Sequence, residues 1–197
     1  DFGDETIFSI LNKKKVSKIQ YFKKIINLLS KIQLIKNRNI KNFQNKSYKI
    51  PKYDKKILSQ EANLFCYWYT KKYLSRSRNN KFSKKFKKII KNLSSNLELK
   101  NNCFVHRDFH VSNLMMINNR IGVIDSQDAL IGNKAYDLAS LIDDVRFKTS
   151  KSFKDKIFNF YIKRQKKLNL LKFKNDFEIL SILRNLKIIG IFTRLAV

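Results

Sequence analysis

Between Cys103 and Ile124 the spacing of apolar residues changes, and no other feature constrains the chain as strongly. On either side apolar residues recur every three or four positions, the helical period. Here they come in short runs, "CFV", "LMMI" and "IGVI", the last two separated by "NNR". Short apolar runs bounded by turn formers read as strands, and two joined this way read as a hairpin. That hairpin spans Leu114 to Ile124 and brings its outer ends, Asn113 and Asp125, near each other. The fold class that follows is α+β, mainly α-helical, with one small β-hairpin among helices.

Periodicity organises the flanks. Glu5 to Leu11 and Lys15 to Leu34 read as helices, the second with Val16, Ile19, Phe22, Ile25, Ile26 and Leu29 on one side. The stretch "KNRNIKNFQNKSYKIPKY" loses the period, carries the single proline and reads as a surface linker. Asp54 is placed to cap a long helix to Leu74, with Ile57, Leu58, Leu64, Phe65 and Trp68 on its apolar side; Phe82 to Leu97 makes another. After the hairpin, Ala135 to Phe147 reads as a helix. Ser152 with Asp155 resembles a capping box opening the next, and Asn175 with Glu178 opens a last helix toward Leu195.

A chain of 197 residues suffices for one domain, and a content of 43% hydrophobic and 13% aromatic residues excludes a disordered polyelectrolyte. Lys and Arg number 43 against 15 Asp and Glu, a net charge of +28. A nucleic-acid surface needs such charge concentrated beside stacking aromatics. Lysines are instead spread from Lys13 to Lys187, mostly on the wet faces of amphipathic helices, and the excess of Lys, Asn, Ile and Phe matches A/T-rich codons. No specific nucleic-acid partner is expected, only general attraction for anions, nucleotides included. Cys66 and Cys103 show no metal-ligand spacing and read as buried thiols in a reducing compartment. The late run "LKIIGIFTRLAV" is interrupted by Lys187 and Arg194 and falls short of the roughly 20 apolar residues a bilayer span needs. The expectation is a cytoplasmic protein without a membrane partner.

Chemistry concentrates in "VHRDFHVSNLMMINNRIGVIDSQDALIGNKAYDLAS". Asp108 and Asn113 bracket a short loop leaving a strand, and Asp125 ends the hairpin. Such a trio suits in-line phosphoryl transfer: one carboxylate orients and deprotonates the attacking hydroxyl, while an amide and a second carboxylate hold Mg2+ against a triphosphate. Asp108 is thus the expected base, and Asn113 and Asp125 the expected metal ligands. Glu61, Trp68 and Arg146 are candidates for substrate contact, with core or surface roles competing for each.

His106-Arg107-Asp108 followed by Asn113 resembles the H-R-D-x-x-x-x-N catalytic loop of the kinase superfamily. Phe109 and His110 after the aspartate, and Asp125 with Asp128 in "VIDSQDA", resemble the aminoglycoside phosphotransferase-like small-molecule kinases more than protein kinases. The segment "GNKAYDLAS" is similar to that family's G-x-x-x-Y-D-L-A, whose aspartate, here Asp137, braces the catalytic loop. The resemblance also implies that His106, Arg107 and His110 brace the loop and that Asp128 is an acid beside the metal. Any one motif arises by chance; the ordered set does not. Within the family the chain is most similar to the anomeric cell-wall amino-sugar (N-acetylmuramate/N-acetylglucosamine) kinases. The similarity is carried by "DFGDE", "YDKKILSQEANLFCYWY", "VHRDFHVSNLM", "IDSQDALIGNKAYDLASLIDDVR" and "RNLKIIGIFTRLA". Ser126 departs from the usual Phe, which removes packing volume but no ligand.

The resemblance implies that residues 1–197 form the C-terminal lobe of a protein-kinase-like fold, with ATP (or GTP) and Mg2+ as cofactors. The implied reaction is phosphorylation of the anomeric hydroxyl of N-acetylmuramate or N-acetylglucosamine in peptidoglycan recycling. It further implies an N-terminal nucleotide lobe that this chain lacks, a truncated C-terminal end, and a fragment inactive by itself. Asp1-Phe2-Gly3 looks like the protein-kinase metal signature but precedes the catalytic aspartate, so it reads as the entry to the helical lobe, with Asp4 or Thr6 capping the first helix. Two other readings compete. One is a kinase of another small acceptor, such as an aminoglycoside, choline or an amino-acid alcohol, which would want an acidic cleft or an aromatic cage. The other is a non-catalytic basic RNA-binding module, for which Asp108, Asn113 and Asp125 would be superfluous.

Overall fold

The computed structural model describes residues 3–13, 15–41 and 43–196. In chain order it runs through α1 (Ile7–Lys13), α2 (Lys18–Ile32), β1 (Asn39–Lys41), β2 (Ser47–Lys49), α3 (Lys55–Ala62), α4 (Lys71–Tyr73) and α5 (Arg76–Ser95). There follow β3 (Cys103–Val105), β4 (Leu114–Ile117), β5 (Arg120–Val123), β6 (Leu130–Gly132), α6 (Ala135–Ile142), α7 (Lys151–Lys163) and α8 (Leu170–Leu195). Two compact units result, one of residues 1–52 and 100–170 and one of residues 53–99 and 171–197.

In the first unit, Thr6 Oγ1 accepts from the Ser9 amide at 3.0 Å and so caps α1. The reading of Asp1 and Phe2 lies outside the described residues. The apolar stripe of α2 buries Phe22, Ile25, Ile26 and Leu29, with the Phe22 ring stacked on Phe147 and edge-on to Phe153. The expected hairpin forms, pairing Leu114 with Val123 and Ile117 with Arg120. Its two loop residues, Asn118 and Asn119, have φ of 44° and 62°, the left-handed pair that a tight hairpin turn needs and that asparagine tolerates best after glycine.

Three readings need correction here. The "linker" holds the antiparallel pair β1 and β2, and Pro51 accepts from the Ile131 amide at 2.9 Å, so long-range pairing orders a stretch without local periodicity. Strand β6 pairs antiparallel with β3, Cys103 opposite Gly132, although three residues give no period to read. Helix α6 stops at Ile142, and α7 is capped by Ser150, whose Oγ accepts from the Phe153 amide at 3.2 Å, rather than by Ser152.

In the second unit Asp54 caps α3 as expected, accepting from the Ile57 amide at 2.9 Å. The long helix continues to Tyr73 through a π-helical turn, Phe65–Thr70, which shifts the register so that Trp68 is only half-buried. Helix α5 starts at Arg76 rather than Phe82, and α8 at Leu170 rather than Asn175. Asn175 does not open α8; its amide instead donates to the Asn96 carbonyl at 2.9 Å. Gly190 of α8 lies against the Leu64 backbone, where a Cβ would meet the carbonyl oxygen at 2.6 Å. Among the described residues, no helix is long and apolar enough to cross a membrane.

Candidate active site

Strand β3 delivers the chain into the loop His106-Arg107-Asp108, and one buried carboxylate sets that loop's shape. Asp137, in the first turn of α6 and fully buried, accepts from the His106 amide at 2.7 Å and from the Arg107 amide at 3.0 Å. Charge-assisted bonds to two successive amides hold a sharp turn, and Arg107 takes the left-handed φ of 74° that the turn requires. Asp108 follows directly. The Arg107 guanidinium donates to the Asp128 carbonyl at 3.1 Å, tying the loop to the segment after the hairpin.

A second set of bonds gathers the hairpin ends. Asn113 donates through Nδ2 to the Asp108 carbonyl at 3.1 Å, and its own carbonyl accepts from the Ile124 amide at 3.1 Å. Asn113 and the neighbour of Asp125 are thereby fixed together, and Asp125 leaves the strand with a φ of 60°. His106 is buried, with Nε2 at 2.9 Å from the Ile124 carbonyl. Burial pushes its pKa below the ordinary 6.5, against the Ile124 hydrogen bond and the charges of Asp108 and Asp125. It is held as a neutral ring, edge-on to the fully buried Phe109. His110 is buried too, and its amide donates to the Asp108 carbonyl at 3.1 Å.

The structure therefore brings together His106, Arg107, Asp108, His110, Asn113 and Asp125 around one loop, with Asp137 beneath it. Asp128 is exposed and meets this cluster through its backbone. Arg146, in the same unit, pairs with the buried Asp144 at 3.4 Å. Glu61 and Trp68 belong to the second unit. There Glu61 accepts from the Tyr53 hydroxyl and pairs with Lys187 at 3.1 Å, within a nearly buried cluster.

Sequence reasoning missed the support under α6. The Lys134 carbonyl accepts from Gln33 Nε2 at 2.8 Å, Gln33 Oε1 accepts from Tyr161 at 2.6 Å, and the Lys134 ammonium donates to Gln165 at 2.8 Å. Burial pushes the Lys134 pKa down and the Tyr161 pKa up, and it raises the Cys103 thiol to about 12. Isolated polar residues from three helices leave no periodic signal. Position 134, just ahead of "AYDLAS", was the one available pointer.

A cation site is compatible with these residues. Among the described residues no three His, Cys, Asp or Glu side chains form a metal cage. Mg2+ does not need one, since it takes one or two carboxylates and fills its octahedron with water and phosphate oxygens. The single amide bond from Asn113 to Asp108 commits Nδ2 and leaves Oδ1 as an acceptor, and the Asp125 carboxylate is solvent-exposed.

The helical body and loop-bearing hairpin are those of a kinase-like C-terminal lobe. The solved gentamicin complex of APH(2″)-IIa superposes over 99% of this chain and 68% of that one, with a TM-score of 0.57 at 18% identity. The model of the phosphotransferase enzyme family APH matches residues 20–170, and the chain belongs to that family. Curated relatives include the N-acetylmuramate/N-acetylglucosamine kinase of Neisseria meningitidis, 34% identical over 74% of this chain and 46% of the relative. The enzyme of the same name from Pseudomonas aeruginosa is 31% identical over 74% and 45%. The chain spans about half the length of the curated relatives it matches.

Proposed function

We propose that this chain carries the phosphoryl-transfer loop of a cytoplasmic small-molecule kinase that uses ATP and phosphorylates an amino sugar. The observation that carries the reading is the bracing of two successive amides by Asp137, which turns the chain at Arg107 and presents Asp108 beside Asn113 and Asp125. Asp108 makes no side-chain hydrogen bond among the described residues, so its oxygens are available to an acceptor hydroxyl. In the proposed step Asp108 orients that hydroxyl and takes its proton as the oxygen bonds to phosphorus and the bond to the leaving diphosphate oxygen breaks. Asn113 Oδ1 and the Asp125 carboxylate would hold Mg2+, which, when bound, neutralises charge on the phosphates.

The relatives' names point to N-acetylmuramate or N-acetylglucosamine as the acceptor; phosphorylation at its anomeric hydroxyl, in peptidoglycan recycling, is the further step that the sequence resemblance implies. The kinase resemblance assigns the lysine that grips the nucleotide phosphates to an N-terminal lobe, so turnover is expected from a protein that includes such a lobe and not from the 197 residues alone. The test is a Mg-ATP assay of both forms on the two sugars, choline and an aminoglycoside, with Asp108→Asn as control. Asp108→Asn is expected to lower kcat by about 10²–10⁴-fold while folding normally. Unchanged turnover in that variant removes the assigned base. Preference for choline or an aminoglycoside removes the amino-sugar acceptor and leaves phosphotransfer intact.

A further inference from the structure

The sequence attributes the positive charge to solvated faces along the whole chain, but the folded second unit gathers a large part of it beside a set of stacked rings. Ten of the 21 residues from Lys71 to Lys91 are Lys or Arg, against 43 of 197 overall, and the nearest carboxylates in sequence are Glu61 and Glu98. All ten are exposed, and none forms an ion pair among the described residues. Glu61 is already paired with Lys187, and Glu98 with Lys172 at 3.3 Å. The charge on α4 and α5 is therefore uncompensated by the protein.

Aromatic rings lie in the same segments, from the π-helical turn through α4 into α5. Phe65 and Tyr69 stack at 5.1 Å and 17°, Tyr69 and Tyr73 lie 4.9 Å apart, and Phe65 reaches Phe82 at 6.3 Å, which stacks on Phe86 at 5.7 Å. The four-residue spacing of Phe65, Tyr69 and Tyr73 places them one above another along a helical surface. Phe86 is buried, but Tyr69, Tyr73 and Phe82 are 39%, 64% and 38% exposed. Ring surface left in water among cations without ion pairs, Lys72 Nζ lying 6.0 Å from the centroid of the Tyr73 ring, has a specific complement: a polyanion that carries flat rings.

We propose that this surface of α4 and α5 binds single-stranded RNA without sequence preference, the lysines tracking phosphates and the exposed tyrosines stacking bases. An anionic membrane is a poorer complement. An interfacial helix must free a continuous apolar face, whereas Phe86 and Ile90 of α5 are already buried and only Phe82 and Ile89 are exposed among its isoleucine and phenylalanine side chains. Duplex RNA is poorer too, because its bases are not free to stack.

The test measures fluorescence anisotropy of a labelled 15-nucleotide mixed-sequence RNA with the whole chain, in the absence of nucleotide, across a NaCl titration. Replacing Lys81, Lys84, Lys85 and Lys88 with Gln is expected to weaken binding at least tenfold at 150 mM salt. It should also flatten the log–log salt slope by about 3, at roughly 0.7 per lost phosphate contact. Replacing the exposed Lys148, Lys151, Lys156 and Lys166 with Gln removes the same charge and is expected to change affinity less than threefold. Tyr73→Ala should weaken binding about tenfold with the salt slope unchanged, and a duplex of equal length should bind about tenfold more weakly. Equal losses in the two quadruple variants, or equal affinity for duplex and single strand, would overturn the proposal. So would binding to phosphatidylserine vesicles without binding to RNA. The readout requires neither Mg2+ nor ATP, so either outcome leaves the phosphotransfer reading where it stood.

Discussion

The two units contain the same device used to different ends. In the first, the fully buried Asp137 of α6 accepts from the amides of His106 and Arg107; in the second, the fully buried Asp176 of α8 accepts from the amides of Glu98 and Leu99, both at 2.9 Å. Each carboxylate accepts from two successive amides, and each ties a loop to a distant helix. What differs is the neighbouring chain. The Asp137 brace turns Arg107 into the left-handed region directly before Asp108, whereas the Asp176 brace secures the chain after α5. A buried brace supplies rigidity, and chemistry depends on the residue that the rigidity presents.

Removing each brace tests this contrast. Asp137→Ala and Asp176→Ala are both expected to cost about 2–5 kcal/mol, because each removes two hydrogen bonds to a buried carboxylate, measured by chemical denaturation. Only Asp137→Ala should also lower phosphotransfer per folded molecule, by at least about 100-fold, in a protein able to turn over. Equal catalytic losses would dissolve the distinction between the units.

Gly190→Ala sharpens the same contrast from the side of the second unit. The new methyl meets the Leu64 backbone, which cannot rotate away, so a loss of about 1–3 kcal/mol is expected, with the Asp108 loop undisturbed. A smaller effect separates two serines in the first unit. Ser150→Ala removes the α7 cap and should cost about 1 kcal/mol, while Ser152→Ala should stay within about 0.5 kcal/mol.

The pH dependence of stability probes His106. Its pKa is lowered in the folded state, so the unfolded chain binds more protons as pH falls below about 6.5. The stability due to its neutral ring is complete above that value and is lost as pH drops through the folded pKa. Thermal melts from pH 7.5 to 5 should show a fall that His106→Gln makes shallower; an unaltered pH profile would show that other groups produce it.

The family membership and the loop cluster were legible in the chain. Asp108 and Asn113 are five residues apart, Asp125 ends an apolar run, and "YDLAS" marks Asp137. Helix starts were harder to read. Arg76 and Leu170 open helices whose first turns are polar or irregular in pattern, and the pairing partner of β3 is a three-residue strand about thirty positions away. The aromatic set was divided in the sequence between two helical segments, with nothing to show that Phe65 and Phe82 meet.

By itself the sequence determined what short-range forces decide: the Asp54 cap on Ile57, the Asn118-Asn119 turn, the apolar stripe of α2, and the identities of the residues at the loop. Each depends on groups within a few positions of one another, where backbone geometry alone brings them together. Tertiary structure decided the rest. The grip of Asp137 on His106 across 31 positions, that of Asp176 on Glu98 across 78, and the exposure of stacked rings among lysines without ion pairs exist only once distant segments are close. Contacts of that kind are set by burial and hydrogen-bond satisfaction over the whole chain, for which no local period is a proxy.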